Sequence, residues 1–259
     1  MTRPPWVPLG LTPGIDPTVA GRACLFVDVD GTLVDFVDRP EAVLADAALI
    51  ALLGELFEAS GGAVALISGR TIDALDAIFA PLRLPAAGLH GFERRDAGHH
   101  LHRDSIYSVQ LNQARAHLGA VAARHPGLQL EDKRYALALH FRRAPQAEPV
   151  VWRAMAAALA KLAPRFELLS GDRVLEIKPT GYSKATAVEA YLEERPFQGR
   201  MPVYLGDDVT DLDGFEAVRR QHGVDIAVGG RVSARWSLAA PAAVRAWLRS
   251  LLEPNGDPA

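Results

Sequence analysis

The chain has little cysteine: Cys24 alone among 259 residues. A single thiol cannot close an internal disulfide, so a reducing compartment, the cytoplasm, is expected. No histidine or helix start adjoins Cys24, so it reads as an inert core thiol and not as a nucleophile. No run of Lys and Arg is long enough to form a basic stripe, and the formal net charge is −3. Both argue against a nucleic-acid partner. No stretch reaches the roughly 18 consecutive apolar residues that a membrane-spanning helix needs. The Pro- and Gly-rich segment 1–17 lacks the apolar core of a signal peptide or an anchor and reads as a flexible tail. Residues 253–259 read as a frayed end. Repeats, low-complexity tracts and a coiled-coil seam are all lacking, so a monomer is expected. His99, His100 and His102 form a histidine tract, yet no Cys or acid stands at ligand spacing beside them. They read as a solvated loop.

What the chain has is apolar material: 49% of its residues are hydrophobic, enough for a sizeable core. The length suggests one large domain or two smaller ones. Three segments share one pattern of strand, loop and helix. Ala23 to Val27 leads into Asp28-Val29-Asp30-Gly31-Thr32-Leu33. Ala63 to Ile67 leads into Ser68-Gly69-Arg70 and a helical stretch, Thr71 to Phe79. Pro202 to Leu205 leads into Gly206-Asp207-Asp208-Val209-Thr210-Asp211 and a helical stretch, Leu212 to Arg220. An Ala- and Leu-rich helix is expected from about Ala42 to Ala59. A further strand is expected at Asp225 to Val228, and a final amphipathic helix at Pro241 to Leu252. Apolar runs of this length alternating with helices predict an α/β fold with a parallel, doubly wound sheet.

The middle of the chain follows a different pattern. Helical stretches near Ser105 to Arg124 and Pro149 to Leu162 alternate with strand-like runs at Tyr135 to Phe141, Phe166 to Leu169 and Val174 to Ile177. The in-out alternation predicts an antiparallel sheet with one open face. The expected division is therefore 1–97 and 177–259 for the α/β core, with an α+β module inserted at 98–176.

Acids at the carboxyl ends of parallel strands fall in the crevice where open α/β sheets bind ligands. If both acidic clusters meet there, up to five carboxylates share one pocket. Such a pocket is costly without a cation, and oxygen-only ligands point to a hard ion, Mg2+. Asp28 and Asp30 stand two apart on an extended segment and project to the same side. One of them could attack phosphorus while the other handles a proton. Thr32 could supply a hydroxyl or a helix cap. Ser68 could donate to a phosphate oxygen or cap the helix after it, Lys184 has the point charge suited to phosphate, and Asp211 could be a ligand or a cap.

The order DxDGT, Ser after a strand, Lys at a helix start and GDDxxD resembles the haloacid dehalogenase-like phosphatase superfamily. The insert resembles its larger, second-type cap, so a HAD-like Rossmannoid core with an inserted α+β cap is expected. Finer features are similar to the trehalose-6-phosphate phosphatases. These are Gly88-Leu89-His90-Gly91, Glu131-Asp132-Lys133, His140-Phe141-Arg142 and Glu176-Ile177-Lys178-Pro179. Ala185 stands where that family usually has Gly, and Leu212 where it usually has Glu.

The resemblance implies Mg2+-dependent hydrolysis of trehalose 6-phosphate through an aspartyl-phosphate, in trehalose biosynthesis. By it, Asp28 is the nucleophile and Asp30 the acid and base. Mg2+ lies on Asp28, the backbone carbonyl of Asp30 and Asp207, with Asp208 and Asp211 supporting. Ser68, Gly69 and Lys184 bind phosphate. Arg70, His90, Glu131, Lys133, His140, Arg142, Glu176 and Lys178 bind the sugar phosphate, and a trehalose-phosphate synthase could associate. The rivals are another capped sugar phosphatase acting on mannosyl-3-phosphoglycerate, sucrose phosphate or hexose phosphate, and a catalytically idle binding or partner subunit.

Overall fold

The computed structural model describes residues 22–35, 43–104 and 109–252. The expected tail at 1–17, the frayed end at 253–259, and the expected helix starts at Ala42 and Ser105 lie outside the described residues. The chain divides into two compact units, residues 1–102 with 183–259, and residues 103–182.

The first unit holds strands β1 (Ala23–Val27), β2 (Val64–Ile67), β3 (Ala86–Gly88), β4 (Glu93–Arg95) and β5 (Leu101–His102). It also holds helices α1 (Ala47–Ala59) and α2 (Ile72–Ile78). The second unit contributes α3 (Val109–Arg124), β6 (Gln129–Asp132), β7 (Leu137–His140), α4 (Glu148–Leu159), β8 (Phe166–Gly171) and β9 (Val174–Pro179). The chain then completes the first unit with α5 (Lys184–Leu192), β10 (Met201–Gly206), α6 (Leu212–Arg220), β11 (Val224–Val228), β12 (Trp236–Leu238) and α7 (Pro241–Ser250).

Among the described residues eight strands form the sheet of the first unit, in the order β12-β11-β10-β1-β2-β3-β4-β5. The pairs from β12 to β3 are parallel, and β4 and β5 join as an antiparallel edge. Strand alternation builds a core on each face. Leu25, Val27, Val203 and Leu205 pack with the apolar sides of α1, α2 and α7. Cys24, Phe26 and Tyr204 pack on the other face with Ala187, Val188 and Tyr191 of α5 and Phe215 and Val218 of α6. Phe26 stacks on Phe197 with ring centroids 5.4 Å apart. The sheet is thus covered on both faces, which is why its central strands are continuous apolar runs. β1 is the switch point: the chain moves outward from it to β2 and β3 on one side, then returns to β10 on the other.

Helix α1 starts later than the composition suggests. Asp46 is its N-cap, with Oδ1 accepting from Leu49 N at 2.8 Å, so residues 43–46 stay non-helical. The two- and three-residue strands β3, β4, β5 and β12 were not expected either.

In the second unit, β6-β7-β9-β8 form an antiparallel sheet. Leu137, Leu139, Leu175 and Ile177 point to one face and pack against Leu118 and Val121 of α3 and Val151 and Met155 of α4. Glu131, Ala138, Glu176 and Lys178 alternate onto the other face. The unit runs 103–182 instead of the expected 98–176, because β5 pairs with β4 in the larger sheet and β9 continues to Pro179.

Candidate active site

The carboxyl ends of β1, β2 and β10 carry Asp28, Ser68 and Asp207. Asp28 N donates to Leu205 O at 2.9 Å, which ties the end of β1 to β10. A tight turn follows, with Leu33 N donating to Val29 O and Gly31 N to Val34 O. No helix begins at this turn, so Thr32 caps none. Thr32 is fully buried and its Oγ1 has no hydrogen-bond partner among the described residues. Ser68, at the end of β2, is not the cap of α2; Thr71 is, accepting from Ala74 N at 3.1 Å. Ser68 Oγ accepts from Arg70 N at 3.1 Å instead. Gly69 has a steric reason: a Cβ there would lie 2.7 Å from His90 Nε2. His90 is buried, in a left-handed conformation with φ 56°.

Lys184 opens α5 behind a Ser183–Thr186 capping box. A cation at a helix N-terminus opposes the helix dipole. Here two carboxylates compensate: Nζ donates to Asp28 Oδ1 at 2.7 Å and to Asp211 Oδ1 at 2.6 Å. Asp211 is fully buried and organises the whole end of β10. Its Oδ1 also accepts from Tyr204 OH at 2.8 Å, and its Oδ2 accepts from the backbone N–H groups of Asp207 at 3.1 Å and Asp208 at 3.0 Å. Four donors occupy the carboxylate, so it holds the loop from behind. Gly206 is required by this closeness, since a Cβ would lie 2.3 Å from Asp211 Cγ.

Three of the five acids converge. Asp28, Asp207 and Asp211 each offer a carboxylate oxygen within 4.8 Å of the others. Asp30 is instead paired in two places with Arg70, at 2.7 and 2.6 Å, and Asp208 caps Val209 N at 2.7 Å. Among the described residues the buried Asp207 Oδ1 has no hydrogen-bond partner, while its Oδ2 lies 3.5 Å from Arg231 Nη1.

Burial pushes the Asp28 carboxyl well above the usual carboxylate range; Lys184 pulls it down, and Asp211 and Asp207 push it further up. Burial, then the charge of Asp211, raises Asp207 to about 7. Burial opposes the charge of Lys184, but Asp211 and Asp28 outweigh it and raise its pKa. The centre thus holds an excess of buried negative charge and an unpartnered carboxylate oxygen. Hard oxygen donors with such an excess fit a divalent cation.

The ordinary value for Asp207 is 3.8, so between that pH and about 7 the folded chain binds the extra proton and the unfolded chain does not. Its contribution to stability without metal is therefore lost as pH rises through that window. We expect the melting temperature of Asp207→Asn in EDTA to gain on that of the parent chain from pH 4 to pH 7. Calorimetry at both pH values measures this, and an unchanged gap would sink it. A divalent cation should raise the melting temperature of the parent chain at pH 7.

In the second unit, His140 Nε2 lies 2.9 Å from Glu131 Oε2, and Lys133 Nζ donates to Glu176 Oε2 at 2.8 Å. Lys178 Nζ donates to Glu167 Oε1 and to the Tyr182 carbonyl. Burial raises the Glu131 carboxyl, but the His140 contact and the Lys133 charge outweigh it and hold it below its usual range. Arg142 stands apart: its Nη2 lies 3.2 Å from Asp172 Oδ2 in the β8–β9 turn. Sequence reasoning missed Tyr204, Arg231 and Glu167. A signal existed for Tyr204, whose hydroxyl interrupts an otherwise apolar buried strand. The histidine tract does have an acid partner, since Asp96 Oδ2 lies 2.7 Å from His102 Nε2 and 3.3 Å from His100 Nδ1. Among the described residues no metal-holding group forms there.

Residues 26–244 match the family described as trehalose-phosphatase. The chain is 40% identical over 236 residues to the trehalose-6-phosphate phosphatase of Escherichia coli (strain K12), covering 91% of this chain and 88% of the relative. In fold it is similar to the C-terminal domain of C. albicans trehalose-6-phosphate phosphatase, with TM-score 0.77 and 21% identity over 93% of this chain and 98% of that one. A trehalose-6-phosphate phosphatase related protein gives TM-score 0.75 at 24% identity, over 88% of this chain and 96% of that one. Both neighbours speak to the fold, and the family match and the bacterial relative to kinship: this chain belongs to the trehalose-phosphatase family.

Proposed function

We infer that this chain hydrolyses trehalose 6-phosphate to trehalose and inorganic phosphate through an aspartyl-phosphate. The observation that carries the mechanism is the buried set of Asp28, Lys184, Asp207 and Asp211 at the switch point of the sheet. Asp28 attacks phosphorus, and Asp30 gives a proton to the departing sugar oxygen and later takes one from water. Ser68, the Gly69 backbone and Lys184 hold the phosphate oxygens, with Lys184 kept cationic by its two carboxylates. Mg2+ would be held by Asp28, the backbone carbonyl of Asp30 and Asp207, with Asp208 and Asp211 supporting, and would supply positive charge against the phosphoryl oxygens. Arg70, His90, Glu131, Lys133, His140, Arg142, Glu176 and Lys178 are assigned to the sugar phosphate. A disaccharide presents many hydroxyls, and a site built of paired charges that hydrogen-bond them discriminates against analogues lacking them.

We also place the chain in the cytoplasm as a monomer, able to work beside a trehalose-phosphate synthase. The sole cysteine supports that compartment: it is buried, and burial pushes its thiol up to about 12. Among the described residues no helix is long and apolar enough to cross a membrane.

The test is phosphate release from trehalose 6-phosphate and a panel of other sugar phosphates, with Mg2+ and with EDTA. Release from trehalose 6-phosphate that EDTA abolishes is expected. Preference for another panel member would discard the substrate. No release from any would move the idle-subunit reading to the front.

A further inference from the structure

Asp30 and Arg70 are 40 residues apart in sequence, yet both oxygens of Asp30 accept from one guanidinium. Arg70 Nε donates to Oδ2 at 2.7 Å and Nη2 to Oδ1 at 2.6 Å. A residue that exchanges protons with a leaving oxygen must turn a carboxylate oxygen toward it within hydrogen-bond reach. The observed pairing turns both oxygens onto Arg70. We propose that Arg70 is a positioning residue that latches Asp30 in the substrate-free centre and transfers to the phosphate dianion when substrate enters. The proposal rests on the assignment of Asp30 as acid and base.

The turn that carries Arg70 explains why the side chain, and not the backbone, is the moving part. Ser68 N donates to Ala87 O at 2.8 Å, His90 N to Ser68 O at 3.0 Å and Leu89 N to Arg70 O at 2.8 Å. A Cβ on Gly88 would lie 2.7 Å from Arg70 O, and one on Gly69 would strike the His90 ring. The backbone is therefore clamped on both sides. Its own N–H anchors on Ser68 Oγ, so the guanidinium springs from the same turn as the phosphate-binding hydroxyl. The pair itself is not sealed: the side chains of Arg70 and Asp30 are 13% and 25% exposed, so an incoming anion can reach the guanidinium.

A phosphate dianion presents the same two-oxygen edge to that fork as a carboxylate does, with more charge. Bound beside Ser68, it competes with Asp30 for Arg70. Asp30 is released to the leaving oxygen only when an anionic substrate is in place.

Two structures of the intact chain test this, one with Mg2+ alone and one with Mg2+ and trifluoroberyllate, which mimics the phosphoryl group on Asp28. The expected result is Arg70 within hydrogen-bond distance of the mimic and an Asp30 oxygen freed. Arg70 still bound to both Asp30 oxygens beside the mimic overturns the latch. Kinetics give a second reading. Arg70→Met should raise KM by roughly tenfold or more while kcat changes less, with part of the loss in KM recovered by Arg70→Lys. A fall in kcat at unchanged KM would instead mark a rigid scaffold for Asp30 and overturn the proposal. Should the parent chain release phosphate from no sugar ester, the assigned activity fails, while the mimic-bound structure still decides the latch.

Discussion

Asp28→Asn is expected to lower turnover by at least about 10⁴-fold, because an amide cannot form the aspartyl-phosphate. The fold should survive. Asp28 lies at the end of a central strand whose backbone N–H is satisfied by Leu205, and the substitution changes neither backbone nor volume. Stability without metal should rise. Burial and the charges of Asp211 and Asp207 favour the neutral form of Asp28 over the pull of Lys184, and asparagine is neutral at every pH. The sign follows from a raised folded pKa: the cost is absent at low pH and grows as pH rises. The stabilising effect of the variant should therefore be larger at pH 8 than at pH 4. Stopped assays with trehalose 6-phosphate give the rate, and thermal unfolding in EDTA gives the rest. A variant that keeps a tenth of the parent's activity would exclude Asp28 as nucleophile.

Lys184→Met should be the most damaging change to stability in this centre. It removes the cation that both Asp28 and Asp211 use, at 2.7 and 2.6 Å, from a side chain 3% exposed. Breaking a buried pair by deleting one partner leaves uncompensated charge and costs about 3–5 kcal/mol. Methionine fills much the same volume, so the loss is electrostatic more than packing. The damage should be worst near pH 8 and partly relieved near pH 5, where buried carboxylates take up protons. Activity should fall with it, since phosphate loses a positive partner. Urea unfolding at both pH values tests the claim; equal losses at pH 5 and pH 8 would point to packing as the cause.

Most of the architecture was legible along the chain. β1, β2 and β10 are apolar runs because both of their faces are covered, and that burial shows directly in residue type. The alternation at Leu137 to His140 and at Val174 onward announced a sheet with one polar face. Elsewhere local signals were too short. β3, β4, β5 and β12 have two or three residues each, too few for an alternation to repeat, and exist because a neighbouring strand offers them hydrogen bonds. The start of α1 turned on a single carboxylate, Asp46, where helix propensity alone ran past it.

By itself the sequence determined which side chains stand at the ends of the strands, because the motif spacing places Asp28, Ser68 and Asp207 directly after buried runs. Only the tertiary structure decided what each of them does there. It spent Asp211 on four internal donors, locked Asp30 to Arg70, and set Tyr204 and Arg231 beside the acids. The physical reason is distance. Strand and helix patterns arise from neighbours a few residues apart, whereas a buried charge is decided by whichever partner the fold delivers. For Lys184 that partner is Asp28, 156 residues away.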